Sequence, residues 1–301
     1  MLKEHALEQA LEAPDFLAIS GSRLYGTNRE GSDYDYRGFV FPPYEYVLNI
    51  ATFKDADIAG ADHKVYSAKR FLELVLGGDP QCTELFYVPD HLLKMKSELG
   101  QRIMELKDDI VSAKIYRRIM GYGYSEWRKA EGVRLKIADR GRDEDDIIAW
   151  IRDHKKWDKD RMDEFCEWMD EDKEKKLVPS TRNLGEKRKK EFEAYGFGVS
   201  SAAHALRLSE ELVELLIEGH ITFPRPNADV LRDIRLGKYS LDEVREMYEE
   251  SRAAAEALDL KKVALRSEPD REKVWKVYSE LVAEFIHNDD RFNLLVSSKS
   301  V

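Results

Sequence analysis

Apolar residues change their spacing near residue 92 of this chain, falling in short runs before it and at helical intervals after it. Leu7 and Leu11 share a helical face over residues 3–12, and Pro14-Asp15 stops that helix ahead of Phe16-Leu17-Ala18-Ile19, which reads as a buried first strand. A second strand pattern runs from Ser32 to Phe41 and ends at Pro42-Pro43, which lack backbone donors. Residues 44–58 are weakly patterned, with a loop and a short strand expected around Tyr46-Val47-Leu48. Asp62 to Tyr66 reads as a third short strand. Ser67 then caps a helix through Phe71, Leu72, Val75 and Leu76 that Gly77-Gly78 terminates. Beyond Leu92, one long amphipathic segment is expected from Ile103 to Ile119, then helices over 202–218, 241–258 behind Ser240, and 270–287, with fraying from Asn288. The pattern predicts an α+β chain: a small mixed sheet with flanking helices in 1–91, then a mostly α-helical domain over 92–301, with 139–176 as a charged insertion.

Composition narrows the setting. A formal charge of −10 and a pI near 5.4 argue against a protein that coats nucleic acid through a basic surface, although a local basic groove stays compatible. Cys82 and Cys166 are 84 positions apart and signal neither a disulfide framework nor a zinc site. That cysteine usage leads to the expectation of a reducing, cytoplasmic setting, and since no apolar run reaches the roughly 18 to 20 residues of a membrane span, a soluble protein is expected. The acid run Asp143 to Asp146, the Trp-rich stretch Trp150 to Trp168 and the basic residues Lys187 to Lys190 read as solvated or packed helix faces.

The chemistry concentrates in Gly21-Ser22-Arg23-Leu24-Tyr25-Gly26-Thr27 and Ser32-Asp33-Tyr34-Asp35-Tyr36-Arg37-Gly38. Without a Cβ, Gly21 lets backbone N–H groups approach an anion. On a strand, Asp33 and Asp35 point to one face, and two carboxylates so placed need a shared proton or a divalent cation. The bland alternative is aspartates capping turns. Arg23 is a candidate for bidentate phosphate contact. Arg37 either orients the aspartates or makes a structural ion pair, and Tyr25 and Thr27 read as turn-shaping.

These residues resemble the nucleotidyltransferase fold of the DNA polymerase β superfamily, and more closely its RNA repair pathway branch. The likeness continues through Tyr66 to Leu72, Asp79 to Phe86, Ala202 to Leu208, Gly219 and Arg235-Leu236-Gly237. It implies that Gly21 and Ser22 hold the triphosphate of an NTP and that Asp33 and Asp35 bind two Mg²⁺ ions, with Mn²⁺ as an alternative. It implies that His204 and Arg207 reach the nucleotide or acceptor from a helical domain closing over the site. A third carboxylate should take the acceptor proton and join the metal ligands. Asp62 is preferred, with Asp55 and Asp57 as competitors. Ser200 stands where the family pattern has a lysine. The expected reaction is transfer of a nucleoside monophosphate to a hydroxyl, on an RNA or tRNA end or else on a protein or small molecule; a silent nucleotide-binding module is the non-enzyme alternative.

Overall fold

The computed structural model describes residues 2–58, 63–131 and 186–289. After helix α1 (Leu2–Glu12), strand β1 (Phe16–Ser20) leads into the single turn of helix α2 (Gly21–Tyr25) and returns as β2 (Asp35–Val40). The two strands are antiparallel with Ser20 opposite Asp35, so the end of β1 and the start of β2 lie side by side. Gly38 permits this closeness, because a Cβ there would stand 1.9 Å from the Phe16 carbonyl oxygen.

Strand β3 (Asp55–Ile58) is antiparallel to β4 (His63–Ser67), and β4 is parallel to β2, with Tyr36 beside His63. A short helix α3 (Tyr44–Val47) stands where the sequence led us to expect a strand, and the strand comes later, at 55–58. The fifth strand, β5 (Leu93–Lys96), pairs with β1 and completes a sheet of order β3-β4-β2-β1-β5. The sheet therefore runs past the expected boundary at residue 91.

Helix α4 (Ala68–Leu76) starts as expected, with the Ser67 side chain accepting from the Arg70 N–H. It packs Phe71 on Phe39, ring centroids 4.5 Å apart, and Phe39 stacks on Phe16. Full burial of such side chains is worth about 1.5–3 kcal/mol each. The turn of α5 (Pro80–Thr83) follows, then a 3₁₀ turn at Glu84–Tyr87.

The expected segment 103–119 is broken into α6 (Glu98–Met104), α7 (Lys107–Ile110) and α8 (Ile115–Ala130). Helices α9 (Glu186–Tyr195), α10 (Val199–Glu218), α11 (Ala228–Arg235), α12 (Leu241–Glu256) and α13 (Arg271–His287) follow. Helix α10 is the centre of the helical part, packed on α8, α11 and α12. Helix α13 returns to the sheet, placing Val274 and Leu281 in the same core as Phe16 and Phe71. Among the described residues no helix is long and apolar enough to cross a membrane. The expected insertion 139–176 lies outside the described residues.

Candidate active site

A cavity of about 550 Å³ opens between the β1–β2 end of the sheet and helices α10 and α11. That volume is within the range of small-molecule sites. Its sheet side carries Gly21, Ser22, Asp33, Asp35 and Arg37, its α5 side Gln81 and Glu84, and its helical side His204, Arg207 and Arg235. The predicted residues from two distant stretches of chain thus meet at one place.

The local geometry explains the glycine. Gly21 has φ +63°, and a Cβ there would stand 1.9 Å from Asp35 Oδ2, so the Asp35 carboxylate sits in the space that a side chain would fill. Asp33 lies in the loop just before β2 rather than on the strand, which begins at Asp35. Arg23 shapes that loop. Its guanidinium donates to the Ser32 carbonyl at 2.7 Å and the Asp33 carbonyl at 3.2 Å, and it lies 3.7 Å over the Tyr34 ring. Arg23 is committed to the backbone that carries Asp33 and is not among the cavity-lining residues.

Arg207 lines the cavity but is also committed. It is buried, ion-paired to Glu84 at 2.8 Å and Glu211 at 2.7 Å, with the Tyr25 ring 3.8 Å from its guanidinium. Tyr25 in turn donates to Glu84 at 2.7 Å. Burial pushes the Glu211 carboxyl up to about 7 against the pull of Arg207. His204 is pushed down to about 3, first by burial and then by the charges of Arg207, Lys129 and Arg235, so its imidazole is neutral at ordinary pH. Its Nδ1 is 3.9 Å from Glu126, and its buried Nε2 has no hydrogen-bond partner among the described residues.

Of the carboxylates considered for a third role, Asp62 lies outside the described residues. Asp55 is held by Lys64 at 2.6 Å. Asp57 is described only as backbone within β3, opposite Lys64. Ser200, where a lysine was expected, donates its N–H and hydroxyl to Glu191 and so ties α9 to the first turn of α10.

Gln81 and Arg235 line the cavity too, and sequence reasoning gave them no role although both fall in stretches that carry the resemblance. Arg37 donates to Gln81 Oε1 instead of pairing with either aspartate. Arg235 donates to Thr27 Oγ1 at 3.3 Å, and burial, followed by the nearby Arg29 charge, holds it below its ordinary pKa. The helical part grips the glycine turn at two further points, Arg232 to the Gly26 carbonyl and the Arg225 N–H to the Tyr25 carbonyl.

Residues 5–138 match the family model described as RlaP, the RNA repair pathway DNA polymerase beta family. Over that span, which is less than half of the chain, this protein is similar to that family. The match takes in the glycine turn, both aspartates, Arg37 and Glu84, and stops before α10 and α11, which supply the opposite wall. A 38.9 kDa uncharacterized protein from the nrdC–mobD intergenic region of Enterobacteria phage T4 is 25% identical over 289 residues, covering 76% of this chain and 84% of the phage protein. No solved structure matches.

The donor set at Gly21 suits a hard divalent cation. Aspartate oxygens facing a backbone cleared of side chain are the ligands that Mg²⁺ takes, together with substrate phosphate.

Proposed function

We propose that this protein is a metal-dependent nucleotidyltransferase that transfers a nucleoside monophosphate from an NTP to a hydroxyl and releases pyrophosphate. The observation that carries this reading is Asp35 seated against the side-chain-free Gly21, with Ser22 and Asp33 in the wall of the same cavity.

Asp33 and Asp35 would hold two Mg²⁺ ions, with Mn²⁺ as a substitute. Such ions, when bound, stabilise charge on the attacking and leaving oxygens of an in-line displacement. The chain's own groups supply position and proton transfer. Gly21 and Ser22 bring backbone N–H groups close to phosphate oxygens. The acceptor oxygen bonds to the α-phosphorus, the bond from that phosphorus to the bridging oxygen breaks, and pyrophosphate leaves. Asp62 takes the hydroxyl proton. The neutral His204 cannot repel an incoming cation and offers a hydrogen bond to sugar or base.

The family's description favours an RNA end as acceptor. The test is incubation with Mg²⁺ and each α-labelled NTP, with total RNA, protein extract or no acceptor. Label entering RNA supports the reading, label entering protein moves the acceptor, and absence of transfer under every condition sinks the enzyme assignment. Asp33→Asn and Asp35→Asn should each cut transfer on the order of a hundredfold or more, since several kcal/mol of charge stabilisation is at stake. Full activity in either variant would remove the two-metal assignment.

A further inference from the structure

Two guanidiniums in the cavity make no close ion pair with a carboxylate among the described residues, although Glu84 acts on Arg37, and Glu191 and Asp35 on Arg235, from farther away. Arg37, on β2, donates to the Gln81 amide oxygen, and Arg235, at the end of α11, donates to the Thr27 hydroxyl. Neither makes an ion pair with any carboxylate of the described residues. Each guanidinium has five N–H donors and a fixed charge, so one neutral acceptor leaves most of its capacity unused.

The other arginines nearby are spent. Arg207 faces Glu84 and Glu211, Arg23 faces the Ser32 and Asp33 carbonyls, and the exposed Arg29 donates to the Arg235 carbonyl. Arg37 follows Asp35 by two strand positions and so emerges on the same face of β2. Arg235 reaches the same cavity from the helical part, beyond the family match. Two partly buried positive charges from different walls of one cavity that also holds Asp33 and Asp35 suit an anion of several phosphate groups that also carries a metal.

We propose that Arg37 and Arg235 grip the polyphosphate tail of the nucleotide, one from the sheet and one from the helical wall, so that the tail ties the two walls together. This rests on the nucleotidyltransferase reading and names the residues that select a triphosphate. A nucleoside monophosphate lacks the β- and γ-phosphates that the two arginines hold, so both arginines set the preference for triphosphate over monophosphate.

The test measures binding of Mg·ATP, Mg·GTP, Mg·CTP and Mg·UTP, and of the matching monophosphates, to the full chain by titration calorimetry. Arg37→Lys and Arg235→Lys keep the charge and the aliphatic stem but lose the bidentate fork. Each should lower the ratio of triphosphate to monophosphate affinity about tenfold, with monophosphate affinity held within about twofold. In the unaltered protein, tripolyphosphate should displace the bound nucleotide, a result that depends on no variant's folding. A ratio unchanged in either lysine variant overturns the two-walled grip, as does an equal fall in monophosphate affinity. Displacement by a short oligoribonucleotide but not by tripolyphosphate also overturns it, because the arginines would then face a nucleic-acid backbone. If none of the four triphosphates binds the unaltered protein, the nucleotidyltransferase reading itself fails, a result distinct from binding with an unchanged ratio.

Discussion

A methyl group at position 21 would stand 1.9 Å from Asp35 Oδ2, and the atom it meets is the free end of a side chain. Gly21→Ala therefore displaces the carboxylate more readily than the backbone. The left-handed φ of +63° adds roughly 1–2 kcal/mol of strain. The expected result is a modest fall in melting temperature with near-complete loss of transfer; an active Gly21→Ala enzyme would show that Asp35 need not sit there. His204 gives a pH prediction. Its folded pKa of about 3 is below the ordinary 6.5, so the unfolded chain takes up a proton that the folded chain refuses. The stability tied to this residue is present above about pH 6.5 and is lost as pH falls from there toward 3. His204→Gln should flatten that part of the stability profile in urea titrations at several pH values, and NMR of the parent should show no His204 titration between pH 5 and 8. Sequence spacing made Gly21, Ser22, Asp33 and Asp35 legible because their relation is local. It could not sort the arginines: whether a guanidinium is spent or available depends on partners such as Glu84, which meets Arg207 from 123 positions away.

At the level of elements, α5 shows how a short turn serves the site. The Asp79 carboxylate accepts from the Cys82 N–H at 3.0 Å, and the Asp79 carbonyl accepts from the Thr83 hydroxyl at 2.7 Å. That cap orients Gln81 toward Arg37 and Glu84 toward Arg207. Asp79→Ala should cost about 1 kcal/mol in chemical denaturation, as a lost N-cap does, and should lower nucleotide affinity by more than that stability change alone would. Unchanged affinity would mean the turn holds its shape without the cap. The same stretch, Asp79 to Phe86, carries part of the family likeness, which these paired contacts explain physically. Elsewhere periodicity misled. The apolar spacing from Ile103 to Ile119 fits one helix, yet residues 111–113 run between α7 and α8, where Ser112 bridges to Arg266 and the Ala113 N–H donates to the Arg266 carbonyl at 2.8 Å. A contact across about 150 residues of chain overrides a local preference and is not encoded in the local pattern. The strand β5 escaped notice for a similar reason, since only its pairing with β1 makes Leu93–Lys96 a strand.

The molecule as a whole is joined by charge as well as by apolar packing. Tyr25 and Glu84 from the sheet-bearing part meet Arg207 and Glu211 of α10, and Arg225 continues the series to Glu211 and Glu214. All but Tyr25 and Glu214 are almost fully buried, so the cluster has surrendered its hydration and depends on internal neutralisation. Arg207 is its pivot, one guanidinium serving two carboxylates and resting on an aromatic ring. Arg207→Met removes that positive charge and leaves Glu84 and Glu211 facing each other in a site that already raises the Glu211 pKa to about 7. The expected loss is about 3–5 kcal/mol by urea unfolding at pH 8, because truncating one partner of a buried pair strands the other. Without the pull of Arg207 the Glu211 pKa rises above its value of about 7, so the loss should shrink as pH falls toward 7, where Glu211 takes up a proton and the repulsion is relieved, and should level off below that. Adding Glu211→Met to Arg207→Met should restore part of the stability, since the stranded charge goes with it. If Arg207 instead acted mainly as a nucleotide ligand, the single substitution would leave stability nearly intact, and the double variant would bring no recovery.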